Sequence, residues 1–375
     1  MTQAPDQIKI PADLLPKDGR FCSGPAKIRQ EALERLVAVA PSYMGTSHRQ
    51  ATVRQMVHRL REGLSNLFSL PDDYEVVLGN GGATAFWDIA TFCLIERRSQ
   101  HLSFGEFSSK FAAAAKAAPH LADPEVITSE PGSHPLPKAN PDVDAYALTH
   151  CETSTGVAMP IDRPDGADGL VLVDATSAAA GLPVDPANFD AYYFSPQKGL
   201  GSDGGLWVAL LSPAALERAK AIAESGRWVP ASLDLNIAIE NSRLDQTYNT
   251  PALATIYLMV DQVEWFLANG GLAFSTSRSS ESASIIYTWA EKSSFAMPFV
   301  TDPAKRSNVV ATIDFVAEVD AAQVAKVLRA NGIRDTEPYR KLARNQLRVA
   351  MFPTIDPADV QALCACVDYV VGELS

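Results

Sequence analysis

From residue 75 onward, short apolar runs alternate with longer stretches apolar on one face only. EVVLGN (75–80), SQHLSF (99–104), EVITSE (125–130), AYALTH (145–150), GLVLVDAT (169–176), AYYFSP (191–196) and GLWVALLS (205–212) read as strands. Several are apolar on both faces, as strands buried between helix layers are. Helical stretches over 83–97 and 106–118 separate the first of them. Strands alternating with helices predict an α/β fold with a mostly parallel sheet. A long helical pattern over 250–271 stops at Gly270-Gly271, and another spans 276–292. The style then changes. NVVATIDF (308–315) and QLRVAMF (346–352) alternate, and helical patterns follow them at 321–332 and 356–374. That order predicts a small α+β unit with a sheet wet on one side.

The chain therefore divides into an arm over 1–19, a large domain over 20–270 and a small C-terminal domain over 271–375. A length of 375 residues suits two or three domains. Apolar residues make up 47% and charged residues 20%, which excludes general disorder. Lys plus Arg is 32 and Asp plus Glu is 44, giving a net charge of −12. So acidic a chain lacks the cation surplus that phosphate neutralisation on nucleic acid needs. A few local cations can still hold a small anion. The five cysteines, odd in number and sparse, do not suggest a disulfide framework. Cys364 and Cys366 point to opposite sides of a helix, so no metal clip is expected. The N-terminus lacks a signal-like apolar stretch and no run is long enough to span a bilayer, so the expected place is the cytoplasm.

Three segments carry chemistry. In YYFSPQKGLGSDGGLW (192–207) an apolar strand runs into Gln197-Lys198 and a glycine-rich loop. A lysine desolvated there loses its ammonium preference and frees its lone pair for Schiff-base formation. A surface lysine opening a turn is the other reading. Asp174 stands where an apolar strand ends, 24 residues earlier. It can pair with the nitrogen of a pyridine ring, making the ring an electron sink, or it can cap the following turn. Asn80-Gly81-Gly82-Ala83-Thr84 joins a strand to a helix, where small residues and free N–H groups suit a phosphate or simply a tight turn. No dinucleotide fingerprint or P-loop is present.

Taken together these segments resemble fold-type I pyridoxal-phosphate enzymes. More narrowly, the chain is similar to the phosphoserine aminotransferase family of class V aminotransferases. FCSGPAKI (21–28), MGTSHRQ (44–50), GNGGAT (79–84), FGEFSSK (104–110), HCETSTG (150–156), LVDATSAAAG (172–181), FSPQKGLGSDGG (194–205), YNTPA (248–252) and LRVAMF (347–352) carry the likeness, in the family's order. The resemblance implies a large α/β/α domain, a small α+β domain and pyridoxal 5′-phosphate as cofactor. Lys198 would bear the cofactor and shuttle the substrate proton. Asp174 would meet the ring nitrogen and Thr153 the ring 3′-oxygen. Phe107 stands where the family usually places a stacking Trp. Ala83, Thr84 and Gln197 would hold the phosphate, joined by Asn249 and Thr250 from a second subunit, so the expected assembly is a homodimer with shared sites.

The resemblance also implies small anionic substrates, 3-phosphohydroxypyruvate and glutamate, which need cations at both ends. Arg348 would fork the α-carboxylate, and His48 and Arg49 would take the distal phosphate or carboxylate. An exposed pair opening a helix is the other reading of His48-Arg49. The family's His-Arg pair before its carboxylate Arg is replaced here by Tyr339-Arg340-Lys341-Leu342-Ala343-Arg344, with Arg344 assigned as the third distal cation. Transamination between serine or alanine and glyoxylate is the competing activity. A non-catalytic scaffold is a third reading, opposed by the intact Lys198 and Asp174.

Overall fold

A computed structural model describes residues 7–374, so the first six residues of the expected arm lie outside the described residues. Helices α1 (Gln30–Tyr43) and α2 (Ala51–Leu67) come first, then β1 (Glu75–Asn80), α3 (Ala83–Cys93), β2 (Ser99–Ser103), α4 (Glu106–Ala117) and β3 (Glu125–Thr128). Strands β4 (Ala145–Thr149), β5 (Cys151–Glu152), β6 (Val157–Ala158), β7 (Leu170–Asp174), β8 (Ala191–Phe194) and β9 (Leu206–Leu211) follow. Next come α5 (Pro213–Glu224), α6 (Leu235–Arg243), α7 (Leu253–Ala268) and α8 (Gly271–Lys292). The chain closes with β10 (Ala296–Pro298), β11 (Val310–Phe315), α9 (Ala321–Ala330), β12 (Gln346–Ala350) and α10 (Pro357–Leu374).

The large sheet runs β3-β2-β4-β7-β8-β9-β1. Its β3, β2, β4, β7 and β8 pair in parallel, and β9 runs antiparallel to both neighbours. Burial on both faces follows from strand alternation. Val171, Val173, Tyr192 and Phe194 face one core, with α2 and α7. Leu170, Leu172, Ala191 and Tyr193 face the other, with α3 to α6. The parallel strands all end on one edge, where Thr149 of β4, Asp174 of β7 and Tyr193 of β8 stand in register. Crevices at that edge are where open α/β sheets bind ligands.

β10, β11 and β12 form a separate antiparallel sheet. The described part of the arm packs against this C-terminal unit. Ile8 and Ile10 are buried, and the Asn331 side chain bonds the backbone of both. Phe21 N–H donates to Arg334 O and accepts Ala350 N–H on its own carbonyl.

The pattern misplaced some boundaries and overlooked three helices. The helix expected over 83–97 ends at Cys93 because the Asp144 carboxylate takes the N–H groups of Glu96, Arg97 and Arg98, pinning them as a turn. Helix α8 starts five residues before position 276, at Gly271, since Gly270 at φ 117° lets the chain turn directly out of α7. α1, α5 and α6 were not singled out. Among the described residues no helix is long and apolar enough to cross a membrane.

Candidate active site

A cavity of about 360 Å³ opens at the C-terminal edge of the large sheet, between it and the small unit. Lys198 reaches it from the turn after β8, and its side chain is buried. Its Nζ donates to Thr153 Oγ1 at 3.0 Å and Ser177 Oγ at 2.8 Å, hydroxyls that also bond each other. Burial lowers the Lys198 pKa below the ordinary lysine value, more than Cys151 and the nearby Asp174 and Glu152 carboxylates restore it. Gly24 packs against the lysine stem. Gly24 has φ 140°, and a Cβ there would stand 2.8 Å from Lys198 Cε.

Asp174 ends β7 and lines the same cavity. Its Oδ1 accepts from Thr176 N at 3.0 Å and its Oδ2 from Trp87 Nε1 at 3.0 Å. The carboxylate thus caps the turn and also faces the cavity. Trp87, one helical turn after Ala83, shares that residue's face of α3. At the start of α3, Gly82 is an N-cap without a side-chain partner, and Gly82, Ala83 and Thr84 line the cavity with Gln197. Gln197 Oε1 is buried without a partner.

Phe107, in the first turn of α4, lies 5.2 Å from Lys198 Nζ at its ring centroid. Arg348 projects from β12, donating Nη1 to Thr153 O at 3.3 Å, and stacks on Tyr339 at 5.3 Å. Its Nε is buried with no partner, and no carboxylate pairs with it among the described residues. Burial holds its pKa below the ordinary arginine value. A guanidinium left so has donors free for an incoming anion. A larger cleft, about 570 Å³, lies beside α1 and Trp265, but Arg29, Arg278 and Lys27 there already meet Asp261, Asp356, Asp18 and Asp359.

Lys198, Asp174, Thr153, Phe107, Ala83, Thr84, Gln197 and Arg348 therefore converge on one cavity. His48, Arg49, Asn249 and Thr250 do not line it. They gather elsewhere: His48 Nδ1 bonds Thr250 Oγ1 at 3.1 Å, and the carbonyls of Asn249 and Thr250 accept from Asn80 Nδ2. Arg49, Asn249 and Thr250 are exposed, and the buried His48 Nε2 has no partner. Arg344 does not line the cavity either. Its guanidinium is forked onto Asp314 and lies 4.5 Å over the Phe299 ring, so it is spent on holding β11 to the loop before β12. Trp87, Ser177, Ser23 and Tyr339 line the cavity unanticipated. Ser177 was findable, since it shares the strand-end segment of Asp174; Tyr339 lies in a loop without periodicity.

A desolvated amine, a carboxylate and an uncapped helix N-terminus in one cavity suit a group carrying an aldehyde, a ring nitrogen and a phosphate. Residues 21–336 match the family model described as aminotransferase class V. The chain belongs to the class-V aminotransferase family. It is accordingly a pyridoxal-phosphate-dependent transaminase, and the cavity's residues fit that cofactor. A phosphoserine aminotransferase of Nocardioides sp. is 63% identical over 98% of this chain and 100% of its own length. A putative phosphoserine aminotransferase of Mycolicibacterium paratuberculosis is 62% identical over 98% and 99%. Among solved structures, the phosphoserine aminotransferase of Cytophaga hutchinsonii superposes with a TM-score of 0.86 at 24% identity, covering 94% of this chain and 99% of that one. That likeness is one of fold.

Proposed function

We propose that this class-V aminotransferase is a phosphoserine aminotransferase. It moves the amino group of L-glutamate to 3-phosphohydroxypyruvate, giving O-phospho-L-serine and 2-oxoglutarate for serine synthesis in the cytoplasm. The observation that carries the reading is full-length identity of about 60% to relatives of that description. When bound, pyridoxal phosphate supplies an aldehyde for an amine to condense with and a ring that accepts electrons from the substrate Cα.

The chain's own residues then divide the work. Lys198 Nζ holds the cofactor and afterwards moves a proton, a role favoured by its lowered pKa. Asp174, fixed by Thr176 and Trp87, holds the proton on the ring nitrogen. The α3 N-terminus, with Ala83, Thr84 and Gln197, takes the phosphate. Thr153 serves the ring oxygen and Phe107 covers the ring. Arg348 binds the α-carboxylate with the donors left free beside Tyr339.

His48, Arg49, Asn249 and Thr250 act on the active site of a second copy, in a homodimer with shared sites. Their grouping on one patch outside their own chain's cavity supports this. The deciding assay measures 2-oxoglutarate release from glutamate by the holoenzyme. Phosphohydroxypyruvate should be strongly preferred to glyoxylate. Equal rates, or a preference for glyoxylate, would overturn the assignment.

A further inference from the structure

Glu152 is fully buried, follows Cys151 in β5 and precedes Thr153. Nothing in the reaction uses it. Yet its carboxylate is the most heavily bonded of any near the cavity. Oε2 accepts from the backbone N–H of Phe107 at 3.0 Å, the N–H of Ser108 at 2.9 Å and the Ser108 hydroxyl at 3.0 Å. Oε1 accepts from the Ser154 hydroxyl at 2.7 Å and the Ser154 N–H at 3.2 Å. Ser154 Oγ in turn accepts from Glu106 N at 3.1 Å. Three successive N–H groups at the start of α4 are thus answered from the 152–154 segment.

We propose that Glu152 is a positioning residue of the transamination: its carboxylate clamps the first turn of α4 to the segment bearing Thr153, and so sets the Phe107 ring over the Lys198 amine. This rests on the assignment of Lys198 and Phe107 to the cofactor.

Three features support the clamp. Helix α4 has Gly105 as its N-cap, which supplies no side-chain acceptor, so Glu152 provides from a distant strand what an N-cap side chain normally provides. The negative charge also complements the helix N-terminus. Fit is tight as well. A Cβ on Gly105 would lie 2.2 Å from Glu152 Cγ and 2.4 Å from its Cδ. Gly105 has extended backbone, so it is required for space rather than for conformation. Finally, the two ends of the clamp both touch the amine. Thr153, the next residue, accepts from Lys198 Nζ, and Phe107 covers the same atom. A slip of α4 against β5 would change both contacts together.

A carboxylate is chemically specific here. Every group facing its two oxygens is a donor, and two of those on Oε2 and one on Oε1 are backbone N–H groups that cannot turn away. An amide can answer only one side, and its NH₂ would oppose donors on the other. Burial works against the charge and on balance holds the Glu152 pKa above the ordinary carboxylate value, while these donors offset part of that rise.

The test compares wild-type, Glu152→Gln, Phe107→Ala and double-variant holoenzymes. It reads the visible circular dichroism of the bound cofactor, and kcat and KM for the keto acid. Glu152→Gln should lose much of the dichroic band, with kcat falling about ten- to a hundredfold and KM little changed. In the Phe107→Ala background the same change should add no more than about twofold, because the residue it acts through is gone. A wild-type dichroic band and kcat in Glu152→Gln would overturn the proposal. So would an undiminished loss in the Phe107→Ala background, which would make Glu152 merely structural. If Glu152→Gln fails to fold, Ser108→Ala removes one donor to Oε2, together with the acceptor of the Phe104 and Gly105 N–H groups, and spares the carboxylate. A smaller change in the dichroic band is then expected, and an unchanged band would overturn the clamp. Failure of the underlying assignment shows separately, as a wild-type enzyme whose cofactor is not attached to Lys198.

Discussion

At the residue scale, the site is a set of polar groups whose solvent has been replaced by specific neighbours. Lys198 shows it most directly. Its pKa is lowered in the folded chain, so the unfolded chain binds more protons between that lowered value and the ordinary 10.5. Apoprotein stability due to this residue should therefore rise with pH across that window. Denaturant titrations of wild type and Lys198→Met should converge as pH approaches 10.5, with wild type relatively weaker below. Parallel curves would show that the amine is not desolvated. Arg348 is a second case. A charge-assisted hydrogen bond contributes about 1.5–3 kcal/mol, so Arg348→Ala should lower kcat/KM roughly ten- to a hundredfold for every keto acid. Arg348→Lys should recover only part, lacking the planar fork. Steady-state kinetics with phosphohydroxypyruvate and pyruvate would check this, and a loss confined to one substrate would mean that Arg348 reads something other than the common carboxylate.

At the scale of elements, what was legible followed periodicity. The strands leading to Asp174 and Lys198 are apolar on both faces, and the sequence alone places their ends within two residues of where they fall. Helix α4 was legible for the same reason. Arg348 was legible as part of an alternating strand. Contacts made across the chain were not. Nothing local indicates that Asp144 stops α3, or that Trp87 donates to Asp174 from 87 residues away. The ion pair of Arg344 was not legible, because its partner Asp314 is a neighbour only once β11 and β12 pair. Glu152 lies inside the HCETSTG motif, yet its contacts depend on α4 lying against β5. Glycine gives an element-scale prediction. Gly24→Ala sets an L residue at φ 140° with its Cβ against the Lys198 stem. Both the strained backbone, which costs about 1–3 kcal/mol, and the displaced amine should weaken cofactor binding. Cofactor titration of the apoprotein would measure it, and unchanged affinity would show that the 23–25 loop yields freely.

At the scale of the molecule, two consequences follow. His101 and His150 are buried neutral, and burial pushes each pKa down from 6.5 to about 3. The unfolded chain then binds more protons between those values, so stability is fully present above 6.5 and is lost as pH falls toward 3. His101→Gln should lessen that acid loss relative to wild type in urea titrations at several pH values, whatever it does to stability at neutral pH. The second consequence is assembly. Mixed dimers of Lys198→Ala with Asn249→Ala/Thr250→Ala subunits should recover activity, since one of the two sites then has both parts intact. Absence of complementation in dimers shown to have exchanged would confine each site to one chain.

The central claim is that the buried amine of Lys198 is where the cofactor is held. Borohydride reduction of the holoenzyme, followed by peptide mapping, tests it directly. The pyridoxyl group should be found on Lys198 and be missing from Lys198→Ala. A pyridoxyl group fixed to any other lysine of the wild-type chain would contradict the account.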